Sequence, residues 1–348
     1  MKKYLIIPRV LNSKSQGFSL VELMIAMTIG LVVLVALGYV FIGSRQSFRT
    51  TDAMSRIQEN ARYALQSMSQ NIRMVGFSGC GNLLNLTVYP VPPAAVAPAP
   101  ALTSLNMISG QDASAAPAVI NTIVRPAGDT LTIFGAFSSP VSVVGTAAAG
   151  AVPVNGNPYG FKAGDILLAT NCVSANVFSV AGLSPATATT PIGTTVTFTP
   201  SANLQGSYIA NTNGDPYVMK LDQYTYFVGV NPSGGRSLYR SSLNDGTVEL
   251  VENVWDMQVL YGYDSTNSGA ASAYFSAASV PAWTGVVSVR INLLMVSADK
   301  VLSGPQTYQY FADAATARSA MTPVVGAADY FLLHQVFTTT VGLRNRLP

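Results

Sequence analysis

Residues 17–43 read GFSLVELMIAMTIGLVVLVALGYVFIG, and this stretch decides how the rest of the chain is organised. From Leu23 to Gly43 there are 21 residues without a charge. At about 1.5 Å of rise each, they cover roughly the 30 Å hydrocarbon core of a bilayer. The stretch therefore predicts one transmembrane helix. A single carboxylate, Glu22, stands just ahead of it, five residues after Gly17. An unpaired charge entering the apolar layer there costs about 3 kcal/mol, so Glu22 wants a partner.

On the N-terminal side lies a short leader, residues 1–17, carrying Lys2, Lys3, Arg9 and Lys14 and no acid. Basic flanks stay in the cytoplasm, which sets the helix with its N-terminus inside and the head outside the inner membrane. The formal charge of +3 belongs to this leader: without it 15 basic residues face 16 acidic ones. A nucleic-acid partner is therefore not expected from global charge. Outside the cytoplasm two cysteines can form a disulfide, and Cys80 and Cys172 are the only two in the chain. Closing so long a loop would stabilise by about 4 to 5 kcal/mol in the chain-entropy model. Two free buried thiols are the alternative.

On the C-terminal side no proline occurs between Pro8 and Pro90, and apolar residues recur at Ile57, Ala61, Ala64, Leu65, Met68, Ile72 and Val75. Spacings of three and four make one face of an amphipathic helix. The helix is thus predicted over 18–75, transmembrane over 23–43 and amphipathic over 44–75. Arg56, Glu59, Arg62, Gln66, Gln70 and Arg73 occupy its other faces, and the glycines from Gly76 to Gly81 end it. About 270 residues remain for a head, enough for a sizeable core.

Thr87 to Ala118, rich in Ala, Pro and Ser, reads as a long extended surface loop. Strand-like runs follow at 130–137, 141–144, 165–170, 177–180 and 194–199. A clearer β block covers 217–230, 237–242 and 242–251, turning at Asn244-Asp245-Gly246, then 250–263, the alternating run Val287 to Met295, and a final strand from Tyr330 to Leu343. The fold class is α+β: a long N-terminal helix packed on a β-rich head of antiparallel sheet. Residues 76–212 form a variable Ala/Pro-rich and β region, and 213–348 a C-terminal β region.

The leader ending in Gly17, then Phe18, an apolar run and Glu22, resembles the class III signal peptide of type IV prepilins. The resemblance implies cleavage between Gly17 and Phe18 by the prepilin peptidase/methyltransferase, N-methylation of Phe18, and retention of the helix. It also implies an assembly role for Glu22, whose carboxylate would face the N-terminal ammonium of a neighbouring subunit. Glu59-Asn60-Ala61-Arg62-Tyr63-Ala64-Leu65, Ile72-Arg73 and Gly76-Phe77-Ser78-Gly79-Cys80 resemble the stem-to-head transition of PilW-type minor pilins. So do Ser237 to Arg240, Glu249 to Val254, Tyr261 to Asp264, Val289 to Ile291 and Leu343 to Arg346 in the second β block.

That family implies a non-enzymatic subunit that helps initiate type IV pilus assembly, sits at or near the tip, and supports twitching motility and adhesion. Its partners would be other minor pilins, the major pilin and a large tip adhesin, with the inner membrane holding the chain before assembly. Many major pilins carry a helix-breaking proline near the position of Tyr39, and this chain does not. A J-type minor pseudopilin of type II secretion shares the leader and stem and is the nearest alternative. A membrane-anchored ligand-binding module is a second.

Nothing in the sequence favours catalysis. The one histidine, His334, sits in a strand-like run and reads as structural. Two cysteines separated by 91 residues make no zinc site, and neither a phosphate-binding glycine loop nor a nucleophile elbow occurs. Asn211, Asn213 and Asp215 offer oxygen atoms at calcium-like spacing but lack a closing glutamate, so they read as a turn. Neither a cofactor nor a metal is expected.

Overall fold

A computed structural model of the chain describes residues 17, 19–79, 87–90, 107–126, 128–147, 150–184, 194–198 and 216–346. The chain divides into two compact units between Asp52 and Ala53. One helix, α1 (Leu20–Arg73, 54 residues), begins in the first unit and ends in the second.

In the second unit α1 buries Ile57, Ala61, Ala64, Met68 and Ile72. These are the apolar positions whose spacing predicted the helix. Ala61 and Ala64 have no exposed surface, so the helix backbone lies close to what it packs on. Gly76, at φ +72°, turns the chain out of the helix in a left-handed conformation that glycine adopts without a Cβ clash. Gly76 N–H then donates to Phe134 O at 3.0 Å, and Ala136 N–H donates to Phe77 O at 3.0 Å. A Cβ on Gly135 would lie 2.9 Å from Met74 O, so only glycine lets the end of the helix approach this strand.

The strands are β1 (Thr87–Pro90), β2 (Ile108–Gln111), β3 (Val119–Ile120), β4 (Ile123–Val124), β5 (Thr130–Ala136), β6 (Val141–Ser142), β7 (Ala151–Val154), β8 (Ile166–Thr170), β9 (Ser174–Ser184) and β10 (Thr194–Phe198). After them come β11 (Tyr217–Val230), β12 (Arg236–Ser242), β13 (Gly246–Glu252), β14 (Val254–Tyr263), β15 (Ala273–Phe275), β16 (Val286–Val296), β17 (Tyr308–Phe311), β18 (Arg318–Met321) and β19 (His334–Gly342). The larger sheet runs β13-β12-β11-β8-β9-β10-β7, with β5 and β6 also on β11, β2 on β5 and β1 on β9. The second runs β15-β14-β16-β19. Among the described residues every ladder is antiparallel except β1 on β9.

The 14-residue β11 joins the two β regions read from the sequence. Its Leu221 to Tyr226 pair with β5, its Tyr217 to Lys220 pair with β8, and its second half pairs with β12. The buried face of α1 shares one core with residues of both sheets, among them Ile133, Leu221, Tyr226, Met257, Ile291 and Leu343. A smaller core fills the space among β6 to β11, where Phe161, Leu167, Phe178, Val180, Val196 and Val218 meet.

The stretch read as a surface loop from Thr87 to Ala118 is structured at both ends. Thr87 to Pro90 pair with Ser174 to Val177, and Ile108 to Gln111 pair with Thr130 to Ile133. Met107 and Ile108 are buried. Strands of four residues give too short an alternation to stand out among prolines, and it is their partners that hold them. Residues 91–106 lie outside the described residues.

The connection from β2 to β5 folds around one buried cation. Arg125 donates from Nε to Pro117 O at 2.8 Å, from Nη2 to Ala113 O at 2.7 Å and Ala116 O at 2.8 Å, and from Nη1 to Gly128 O. Asp129 accepts Ala113 N–H at 3.0 Å and Val259 N–H at 2.7 Å, and Asp112 accepts the N–H groups of Ala277 and Ala278 at 2.8 and 3.0 Å. The connection is thereby fixed to β14 at Val259 and to the 3-10 turn Ala277–Ser279.

Burial pushes the Asp129 carboxyl up to about 8, against the pull of the Val259 N–H, and that of Asp256 up to about 6, against the Gln258 amide. A carboxyl whose folded value lies above its unfolded one binds protons more tightly when folded. Its stabilisation is complete below about pH 4 and is lost as pH rises through the folded value. The head is therefore expected to melt at progressively lower temperature between pH 5 and 9. Thermal unfolding across that range checks this, and Asp129→Asn should flatten the upper part of the slope.

Candidate functional site

The first unit is a helix with its apolar surface uncovered. Every residue from Leu20 to Ile42 is exposed, including Leu23, Met27, Leu31, Leu34 and Tyr39 at 56 to 76%. These residues point to all sides of the helix rather than to one stripe, which is the pattern of a segment covered by lipid or by other helices. Thr28 donates its hydroxyl to Ile25 O at 2.9 Å, so the one hydroxyl of the 23–38 stretch is satisfied within the helix, as hydrocarbon requires. Among the described residues this is the one helix long and apolar enough to cross a membrane.

At its start, Ser19 N–H donates to Glu22 Oε2 at 3.2 Å, and Leu23 N–H donates to Ser19 O at 3.0 Å. Ser19 is thus the N-cap and Glu22 the carboxylate three residues on, the reciprocal half of a capping box. The sequence signal for it, Ser19-Leu20-Val21-Glu22, was present but was absorbed into the apolar run. A negative charge in the first turn also suits the helix dipole. Gly17 is exposed, and a Cβ built on it would meet no neighbouring atom. Phe18 and the leader 1–16 lie outside the described residues.

The other sequence-derived candidates are far along the chain from this site. Cys172 occupies the turn between β8 and β9 at φ +69°, and its N–H donates to Thr170 Oγ1 at 3.1 Å. Cys80 lies outside the described residues, as do Asn211, Asn213 and Asp215. His334 is buried, with Nε2 at 3.0 Å from an Asp329 carboxylate oxygen, Nδ1 at 3.0 Å from Leu332 O, and its ring stacked on Tyr308. Arg125, one of two basic residues between 87 and 212, is spent on carbonyls rather than offered to solvent.

The head is tied to the end of α1 by polar contacts from distant residues. Asn71 donates to Tyr226 Oη at 2.7 Å, and Asn345 donates to Val75 O at 2.9 Å. The second bond satisfies a carbonyl that the helix leaves unpaired at its end.

Comparison with known families addresses both regions. Residues 12–38 match the prokaryotic N-terminal methylation motif, which covers Gly17, Ser19, Glu22 and most of the apolar run. Residues 225–345 match the family described as Type IV Pilus-assembly protein W, from within β11 to the helix-capping Asn345. Together they support a PilW-type pilin of the type IV pilus. The PilW match includes all of β12 to β19, and the stretch from Glu59 to Cys80 lies outside both matched ranges. No curated protein and no solved structure matches the chain.

Proposed function

We propose that this chain is a minor pilin that helps initiate type IV pilus assembly, enters the filament at or near its tip, and supports twitching motility and adhesion through the filament. The observation that carries the reading is an apolar helix start uncovered on every side that lies within a methylation motif, on a chain whose later sheet region, residues 225–345, matches the PilW family. Such a helix needs lipid before assembly and neighbouring helices afterwards. The prepilin waits in the inner membrane with its head outside the cytoplasm. The prepilin peptidase/methyltransferase cuts between Gly17 and Phe18 and methylates the new amine. The stem then joins the other minor pilins and the major pilin, below a large tip adhesin, and no step requires catalysis by this chain.

Glu22 has two possible uses in sequence. Before assembly its carboxylate is held by the Ser19 N–H; on assembly it would offset the ammonium of a neighbouring Phe18. Cys80 and Cys172 would pair outside the cytoplasm. The parallel ladder of Thr87 on Ser174 supports this, because it brings the chain seven residues after Cys80 beside the residue two after Cys172.

N-terminal and intact mass spectrometry of the membrane-bound protein, with and without the prepilin peptidase, tests the reading. The expected mature chain begins at N-methylated Phe18 and is two hydrogens lighter than the dithiol. Glu22→Ala is expected to be processed normally yet to reduce surface piliation more than about tenfold, since about 3 kcal/mol of uncompensated charge exceeds two factors of ten. Retention of residues 1–17, or release of a soluble head, would overturn the proposal.

A further inference from the structure

Residues 323–330 lead the chain from β18 back toward β19, and their tip is bare: Val324 and Val325 are 73 and 86% exposed. Ala327 N–H donates to Val324 O at 3.0 Å and Tyr330 N–H donates to Ala327 O at 3.2 Å, so the segment is folded on itself. Among the described residues a single hydrogen bond joins it to a sheet. Asp329 Oδ2 lies 3.0 Å from Nε2 of His334, the first residue of β19.

The two sides of this contact are held unequally. His334 N–H donates to Gln306 Oε1 at 2.9 Å, its carbonyl accepts Gln306 Nε2 at 3.1 Å, and its ring stacks on Tyr308 with centroids 4.6 Å apart. It also stands opposite Val296 in the β16 ladder. The Asp329 carboxylate has the ring alone.

The ring's two partners fix a proton count. Leu332 O, 3.0 Å from Nδ1, is a carbonyl and only accepts, so Nδ1 carries a hydrogen. A neutral imidazole has just one such hydrogen, which would leave the Nε2 lone pair facing a carboxylate. The contact is therefore a hydrogen bond only when one further proton lies between Nε2 and Oδ2, on either atom. Both residues are buried, so water does not stand in for it.

We propose that Asp329 and His334 form a proton-held latch, which fastens residues 323–330 to β19 while the proton is present and releases them as pH rises and the proton is lost. His334 stays in place, because β16, Gln306 and Tyr308 hold it, so the movement falls to Asp329 and the tip before it. The surrounding groups offer no substitute for the proton. Tyr308, against the ring face, is pushed up to about 12 by burial and stays neutral. Arg236 on β12 acts on Asp329 only from a distance, since its Nη1 donates to Trp255 O at 2.8 Å and its guanidinium lies 3.8 Å over the Trp255 ring. Asp256 on β14 adds negative charge toward Tyr308 and Arg236, and Lys300 faces the Phe331 ring at 5.8 Å. Among the described residues neither member of the latch forms an ion pair with a second charge. The latch belongs to the head and does not depend on the pilin reading.

Hydrogen exchange of the full-length protein in detergent, read by mass spectrometry from pH 5 to 9 and corrected for the intrinsic rate, tests it. In the wild type, peptides over 323–332, which hold the bonded amides of Ala327, Tyr330 and Leu332, should exchange at least about tenfold faster at the upper end. Asp329→Asn sets an amide N–H opposite the Nε2 lone pair, so the bond no longer needs the extra proton. Its segment should stay protected and the rise should vanish. His334→Phe keeps a ring on Tyr308 without either nitrogen, and its segment should exchange fast at every pH. Asp129 and Asp256 loosen the whole head over the same range in all three proteins, so the latch is read as the difference between the 323–332 and β16 peptides. A flat wild-type difference, or one that rises equally in Asp329→Asn, would overturn the proposal. Should His334→Phe fail to fold, the comparison of wild type with Asp329→Asn decides alone.

Discussion

Arg125→Met should cost the head about 3 to 5 kcal/mol, because it removes one buried cation and strands four carbonyls at once. The carbonyls of Ala113, Ala116, Pro117 and Gly128 have been drawn together around the guanidinium, and no water replaces it without reopening the turn. The same turn positions Ala113 N–H on Asp129 and Asp313, at 3.0 and 2.9 Å, so its loss also loosens the contact with Val259 on β14. Arg125→Lys should restore only a minor part, since an ammonium cannot span four acceptors in the geometry of a planar fork. Denaturant unfolding of the full-length protein in detergent measures both variants. A loss below about 1 kcal/mol for Arg125→Met would show that the turn is held by other contacts.

Met68→Asp should be at least as damaging and for a different reason. Met68 has no exposed surface and sits midway along the buried stripe of α1, with Ala64 and Ile72 one turn to either side. A carboxylate there is cut off from water, and the penalty is several kcal/mol whether it stays charged or takes up a proton. The protein is expected not to accumulate in the membrane. Met68→Leu keeps the volume and should cost less than about 1.5 kcal/mol. Met27→Asp, in the exposed segment of the same helix, should leave unfolding of the head unchanged and affect only residence in the membrane. Equal loss of the head in Met27→Asp and Met68→Asp would contradict the division of the chain between Asp52 and Ala53.

What could be read from the sequence follows from how local each signal is. The helix was legible over nearly its whole length, because both its uniform apolar half and the spacing of Ile57, Ala61, Ala64, Met68 and Ile72 depend only on the residues themselves. β11 was legible from Tyr217 to Val230, and β16 from its alternation, for the same reason. β14 begins after a break that was missed: Asn253, at φ +63°, separates β13 from β14 where the reading ran one strand onward. The final strand was read four residues too early, since Tyr330 to Leu333 form turns held by Ser297 and Asp329 rather than a ladder.

The candidate site was legible in part. Gly17 and Glu22 announce themselves by their place before an apolar run, whereas the bond between Ser19 and Glu22 needed only a four-residue pattern that hydrophobicity concealed. Arg125 and Gln306 gave no signal. Each acts on backbone groups, through a side chain whose identity says nothing about which carbonyls or amides the fold will bring within reach. Thr87 to Pro90 and Ile108 to Gln111 were hidden for the related reason that their partners stand 87 and 22 residues further on.

The bond from Asn345 to Val75 joins residues 270 positions apart, and Leu343 is part of the same core as Ile57. If the head is exported as proposed above, the stem emerges first. Its apolar face shares a core with β5, β11 and β14 as well as with the last residues, so a chain truncated a few residues short would leave that core open at the end of the stem. The last residues therefore complete the main core, whereas the smaller core among β6 to β11 contains none of them.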